Sequence, residues 1–292
     1  MGQQNETAQS LFLQGSIIVP KLTVYETEAR FSSCVCRGSD MLRPRCIVAN
    51  ELAQIAALLL DNRAGRGDWG LGSECSKGVA NTFLICCLLD YQWDADVAWK
   101  KGEHLVKDLG DPEKVWETIS SFSREAWDSK YEEYGKPHRF RRGYSRLWGI
   151  ANNICARYDG DARNIWLGKT AFDALVHLWA LGAGDQISRM IVGGLRDCGQ
   201  IRGGSGDVKA DVHVRRVLGR AAEGEEISAA DPEKAVRLAR QLNPDPWQLD
   251  WPLWSVGKSY CRPTTPDCPN CYLRPHCVYY RQHGGAGISN PA

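Results

Sequence analysis

The sequence predicts an all-α protein. Apolar residues recur at helical spacing in one segment after another. The segments are joined by short connections marked by glycine or proline. No internal repeat or heptad run competes with this pattern.

Taken in order, Ser16 to Tyr25 reads as a short strand or extended arm, broken by Pro20. Arg45 to Asn62 has the period of a helix. Gly65 to Gly78 is glycine-rich and reads as a loop. Phe83 to Leu89 is apolar apart from its cysteines and is expected to continue as one buried helix to Val106. Further helices are expected at about 112–121, 144–157, 170–181 and 186–197. A glycine-rich loop, Gly199 to Asp207, follows, and then helices at about 211–220 and 231–241. A Pro- and Trp-rich approach, Pro244 to Trp254, is expected to lead into a last short helix.

The 292 residues suffice for two modest domains or one large one. The hydrophobic fraction of 43% supports a core without crosslinks. Net charge is +1, so a nucleic-acid partner has to be argued from local patches. No apolar run is long enough to span a membrane. The polar first ten residues lack a secretion signal. A cytoplasmic, nucleoid-associated or nuclear location is therefore expected. In such a reducing compartment twelve cysteines point to metal ligation rather than disulfides.

Spacing identifies the ligands. Cys261, Cys268, Cys271 and Cys277 form C-x6-C-x2-C-x5-C in the segment CRPTTPDCPNCYLRPHC. Prolines between them stiffen the loop and lower the entropy lost on wrapping a metal centre. Four thiolates suit either an iron–sulfur cubane or zinc. Cys34 and Cys36 form only a C-x-C, while Cys86, Cys87 and Cys155 sit in apolar helical contexts typical of small core residues.

This cysteine loop resembles the cluster loop of endonuclease III and of the adenine-mismatch glycosylases, with a complete match in spacing. The resemblance implies a [4Fe-4S] cluster, with zinc as second choice, and a structural role for it beside the DNA backbone. A second resemblance lies upstream. Members of this helix-hairpin-helix superfamily carry a helix, a glycine hairpin and a second helix, then an aspartate in a D-x-H-x-x-R-V context. Here the 170–181 helix runs into Gly182-Ala183-Gly184, a helix follows from Gln186 to Leu195, and then comes Asp211-Val212-His213-Val214-Arg215-Arg216-Val217. Asp211 matches the catalytic aspartate of the family. Glycines let a hairpin backbone approach a phosphate, and the next helix offers free N–H groups. A carboxylate there stabilises the positive charge that builds on the sugar and positions the attacking nucleophile. The target base must first leave the stack. Taken alone, an aspartate before a helix is more often an N-cap than a catalyst.

The pattern also departs from the family. Bifunctional members carry a lysine just after the hairpin, and here Gln186 stands there, or Ile187 after a one-residue slip. Neither attacks as an amine. The expectation is a monofunctional glycosylase that uses water. Lys209 is the runner-up amine, out of place for the family. Lys169 is a decoy, because a phosphate-binding loop would need glycine where Arg163 stands. Gln92 falls where endonuclease III has a glutamine that fills the gap left by the flipped base; a polar residue ending a buried helix is the plainer account. Adenine-removing relatives have a glutamate near the place of Cys86; between Phe83 and Gln92 the one acid is Asp90. Uracil, a mismatched thymine or a damaged pyrimidine is the first expectation, and a modified base the next. Tyr91 and Trp93 stand where they would stack on a base, or simply pack. Arg139, Arg141 and Arg142 lie in the densest basic patch, Lys136 to Arg146, a candidate for backbone contact or a solvated loop. Arg215, Arg216 and Arg220 either approach phosphates or pair with the acidic run Glu223 to Glu226.

The resemblance implies two all-α lobes with DNA between them. Residues 81–205 would form the barrel lobe, and 206–292 the cluster lobe. Residues 45–80 would pack with the cluster lobe, and 1–44 would be an extension. The protein is expected to act as a monomer on double-stranded DNA with a flipped base. The alternatives are a bifunctional glycosylase with lyase activity and a lesion-binding iron–sulfur protein without catalysis.

Overall fold

The computed structural model describes residues 44–62, 69–72 and 75–284. The expected arm at Ser16 to Tyr25, the cysteines at 34 and 36, the side chain of Cys46 and the tail beyond 284 lie outside the described residues. Among the described residues every regular element is helical. None of these helices is long and apolar enough to cross a membrane.

Two apolar cores organise the chain between Pro44 and Ala292. The first core is built by α2 (Lys77–Leu89), α3 (Ala95–Leu109), α4 (Val115–Ser121), α5 (Arg124–Ser129), α6 (Arg141–Tyr158), α7 (Arg163–Trp166), α8 (Ala171–Ala180) and α9 (Asp185–Asp197). The second is built by α1 (Pro44–Asp61), α10 (Val212–Glu223), α11 (Pro232–Leu242) and α12 (Trp247–Ser259), with Leu273 from the cysteine loop. The short α13 (Val278–His283) follows that loop. The N-terminal helix thus packs with the last third of the chain, through Ile55 and Leu59.

The helix expected from Phe83 to Val106 is two. Helix α2 starts earlier, where the Ser76 side chain accepts from the Val79 N–H. It stops at Asp90, and α3 restarts on the Asp94 cap, which accepts from the Val97 N–H. Between them Gln92 sits at φ +50°, a left-handed conformation incompatible with a continuing helix. The apolar run hid this break, because hydrophobic periodicity reports burial and says little of caps. The expected approach Pro244 to Trp254 is also largely helix. Pro252 lies buried within α12, past its first turn, where it removes the N–H that would donate to Gln248 O. Helices α5 and α7 were too short for the pattern to reveal.

Asn81 shows why the first lobe holds one arrangement. It is fully buried, and its Oδ1 accepts from the Trp116 indole at 2.9 Å and the Ala162 N–H at 3.0 Å. Its amide donates to the Pro112 carbonyl at 3.1 Å. One side chain thus ties α2 to the α3–α4 turn, to α4 and to the start of α7. Between the lobes, Trp247 of α12 packs on Gly193 of α9, where a Cβ would lie 2.1 Å from the indole. Asp197 accepts from the Trp247 indole N–H at 3.0 Å. Arg189, almost fully buried on α9, reaches Glu233 of α11 at 2.7 Å and Asp207 at 3.5 Å.

Candidate nucleic-acid interface and catalytic site

The hairpin is set by local chemistry. A Thr170–Asp173 capping box starts α8. The helix ends in a Schellman turn: the Gly182 N–H donates to Trp179 O at 2.9 Å, and the Ala183 N–H to Leu178 O at 3.1 Å. Gly182 and Gly184 have φ of +86° and +84°, which side chains rarely adopt. A Cβ on either would meet nothing within 4 Å, so the backbone is bare towards solvent. Ala183 between them is buried and anchors the turn. Gly184 caps α9 with no side chain, leaving the first-turn N–H groups available to an anion. Asp185 in that turn would oppose one, but it is paired with Arg189 at 3.1 Å.

Gln186, on the first turn of α9, donates from Nε2 to Asp185 at 2.9 Å. Its Oε1 is buried and accepts no hydrogen bond among the described residues. Met190 lies one turn further along the same face.

Asp211 is the N-cap of α10. Its Oδ1 accepts from the N–H groups of His213 at 2.8 Å and Val214 at 3.0 Å. Its Oδ2 has no hydrogen-bond partner among the described residues. The plain capping role and an available carboxylate oxygen thus coexist in one side chain. Val208 and Ala210 are buried in the second core, and the chain between Lys209 and Asp211 closes into a tight turn in which the Asp211 N–H donates to Lys209 O at 2.6 Å. Lys209 crosses to the first lobe. Its Nζ lies 3.6 Å from Asp90 Oδ2, 3.5 Å from the Asp90 carbonyl and 3.2 Å from Met190 Sδ. Burial works to lower its pKa, but the carboxylates of Asp90, Asp211 and Asp250 outweigh it and hold the ammonium above the usual lysine range. Sequence reasoning set this lysine aside. Its signal was the burial of both flanking residues, which a single sequence shows only faintly.

Gln92 is exposed at the tip of the α2–α3 break. Arg139 donates from Nη1 to the Gln92 carbonyl at 2.9 Å, so these two sequence candidates lie side by side. Arg142 stacks on Phe140. Arg141 turns to α5, donating to the Asp128 carbonyl at 3.2 Å and covering the Tyr131 ring. Tyr91 is no free stacking platform. It stacks on the buried His138 ring at 4.2 Å and lies under Arg146. Trp93 meets the edge of the same imidazole. Lys169 bonds to the Asn164 carbonyl near the start of α8.

On α10, Arg215 donates to the Ile227 carbonyl at 2.9 Å. Arg216 and Arg220 point neither to solvent phosphates nor to the acidic run. Arg216 donates to Cys261 O at 2.6 Å and Gly257 O at 3.0 Å. Arg220 donates to Arg262 O and Pro263 O, each at 2.7 Å, and approaches Cys261 Sγ at 3.6 Å. Both are buried, and neither forms an ion pair with a carboxylate among the described residues. Two buried cations without carboxylates need negative charge nearby.

Cys261, Cys268, Cys271 and Cys277 line one small cavity with Arg220 and three tyrosines. All four are free thiols. Burial pushes Cys268 and Cys277 up and Cys271 to about 12, so they become thiolates only where a metal's positive charge meets them. Among the described residues no three His, Cys, Asp or Glu side chains converge on a single-ion position. Four thiols lining one cavity are the donor set of an iron–sulfur group or of zinc. Four thiolates holding either centre would carry two net negative charges, which Arg216 and Arg220 match. Cys86 and Cys87 are buried in the first core, as small apolar residues would be.

No family model matches the chain. It is 29% identical over 82 residues to endonuclease III of Thermotoga maritima, a match covering 27% of this chain and 37% of that protein. The chain thus spans little more than a third of the curated relative it matches. The fold is that of the two-lobed helix-hairpin-helix glycosylases. An endonuclease III trapped as a covalent intermediate with DNA superposes with a TM-score of 0.53 at 14% identity, covering 82% of this chain and 99% of that one. A thermostable thymine-DNA glycosylase superposes at 0.54 and 15% identity, covering 82% and 100%. A non-covalent endonuclease III–DNA complex gives 0.54 and 15%, covering 84% and 100%.

Proposed function

We propose that this chain is a DNA N-glycosylase that binds double-stranded DNA, extrudes one base and hydrolyses its glycosidic bond with water. The observation that carries the reading is Asp211: one oxygen is fixed by two backbone N–H groups, and the other has no hydrogen-bond partner among the described residues. The hairpin N–H groups and the start of α9 would grip a phosphate without reading sequence. Gln92 and Arg139 would enter the gap and hold the backbone on the other side. The fixed carboxylate would stabilise the cationic sugar and orient water towards C1′. Its rigid seat means little reorganisation as charge develops.

Gln186 stands where an attacking lysine would be needed, and its amide forms no imine. The amine of Lys209, two residues before Asp211, is held charged by Asp90 and is a poor nucleophile in that state. Both points support a monofunctional enzyme that leaves an intact abasic site. Cys261, Cys268, Cys271 and Cys277 would hold a [4Fe-4S] cluster. That group supplies a rigid crosslink of the loop and no reacting atom.

The test is incubation with duplexes bearing single uracil, thymine-mismatch, oxidised-pyrimidine and modified bases, with and without alkali. Breakage only after alkali is expected. Asp211→Asn should abolish release while binding persists. Breakage without alkali, or a borohydride-trapped DNA adduct, would replace the monofunctional reading with the lyase. Intact duplexes throughout, despite tight binding, would leave a binding protein.

A further inference from the structure

The Lys209 ammonium is short of acceptors. It has three protons to place, is only 17% accessible, and its nearest oxygens lie at 3.5 and 3.6 Å, beyond a sound hydrogen bond. Its closest contact is a thioether, a weak acceptor. A buried charge with unmet donors is costly unless a ligand completes it. Its place suggests the ligand. Lys209 and Asp211 flank a tight turn at Ala210, where the Asp211 N–H donates to Lys209 O at 2.6 Å, and the Asp211 carboxylate acts on the ammonium. If Asp211 serves the sugar, the ammonium beside it is placed to meet the base that the sugar carries. Against the ammonium lie the end of α2, with Asp90 and buried Cys87, and Met190 of α9.

We propose that Lys209 is the leaving-group residue of this glycosylase, donating a hydrogen bond to the O2 carbonyl of a departing pyrimidine. This rests on the glycosylase reading above. When the C1′–N1 bond breaks, its electron pair leaves with the base and is shared between N1 and O2. The ammonium meets that charge while keeping its proton. Water forms the new bond to C1′ and passes its proton to Asp211 and on to solvent, and the released base takes a proton from solvent. Asp90 is a positioning residue that keeps the ammonium charged and aimed. The substrate class is accordingly a base that departs as an anion with an oxygen beside the glycosidic nitrogen: uracil, thymine or an oxidised pyrimidine. Adenine, which has no such oxygen and leaves best after ring protonation, gains nothing from a cation there.

The test is single-turnover release of 5-fluorouracil, uracil and thymine from otherwise identical duplexes, a series of falling leaving-group acidity. The native chain should release all three at rates that depend weakly on that acidity. Lys209→Met should slow thymine and uracil by about 100-fold, the size expected for losing one preorganised donor, and 5-fluorouracil far less. Asp90→Asn should steepen the dependence partway. A loss by the same factor on every base would make Lys209 structural and overturn the assignment. If the Met chain does not fold, Lys209→Arg decides, because a displaced cation should slow all three yet keep the weak dependence; a steep one would refute the idea. Release of purines alone by the native chain would overturn the Lys209 role and leave the glycosylase standing. Release of nothing from any duplex would end both.

Discussion

Arg216 donates from Nε to the Cys261 carbonyl at 2.6 Å, joining the helix that Asp211 begins to the first residue of the cysteine loop. The same guanidinium reaches Gly257 O and the ring of His213, two residues beyond Asp211. Helix α10 therefore carries the candidate carboxylate at one end and clamps the loop along one face. Disorder in the loop would be felt at the carboxylate.

Arg216→Met is expected to cost about 3 kcal/mol, because it strips a 2% exposed side chain from acceptors that then remain buried. Lysine would recover little, since one ammonium cannot match a planar fork. Urea unfolding read with iron content measures this. An unchanged midpoint with full metal loading would show that the clamp does not matter.

Asp211 allows its two tasks to be separated. Asparagine keeps a carbonyl oxygen for the His213 and Val214 N–H groups, so stability should change by a few tenths of a kcal/mol at most. Alanine removes the cap and should cost about 1 kcal/mol. Both should lose base release by roughly 100-fold or more. Thermal melts beside release rates make the comparison, and an active Asn variant would remove Asp211 from the chemistry.

Asp211 also shows how far the sequence could be read. The order of hairpin, aspartate and cysteines was legible because turn glycines, caps and ligand spacing are local signals. The helical class was legible for the same reason in α1, α6 and α8 to α11, whose apolar faces have a clear period. The break at Asp90 to Asp94 was hidden, since continuous burial erases the period that would mark it. The duties of Arg216 and Arg220 were hidden because a helix face says which residues are neighbours and not what they meet. The surroundings of Lys209 were hidden for a like reason: its partners Asp90 and Met190 are 119 and 19 residues away.

The cysteine loop makes a prediction about composition. Purified anaerobically, the protein should contain about four iron and four sulfide per chain and absorb broadly near the violet. Cys271→Ser, at a partly buried sulfur, should lower iron content and leave Arg216 and Arg220 as uncompensated cations. The loop should then become the first site of proteolysis. One zinc per chain and no sulfide would identify the other metal, and an unaltered loop without any metal would discard the ligand set.

His138 gives stability a pH dependence with a definite sign. Burial holds its pKa below the usual histidine value, and the charges of Arg146 and Arg139 add to this against hydrogen bonds from the backbone. Its Nδ1 accepts from the Phe140 N–H at 3.0 Å and its Nε2 faces the Tyr91 carbonyl at 3.0 Å, an arrangement suited to the neutral ring. The unfolded chain takes up a proton at about pH 6.5, whereas the folded one resists it. Stability from this group is therefore complete above about 6.5 and declines as pH falls through that value towards the lower folded pKa, by at most about 1.4 kcal/mol per pH unit. His177, also depressed chiefly by burial, adds in the same direction. The paired carboxylates Asp161 and Asp245 are held low and lose their contribution only in stronger acid, so the window from about 6.5 to 5 isolates the histidines. Urea midpoints across that window should drop for the native chain and drop less for His138→Gln. Because His138 pins Tyr91 beside Gln92, the same variant should weaken DNA binding at neutral pH. Parallel pH profiles for the two proteins would rule out a buried neutral ring at position 138.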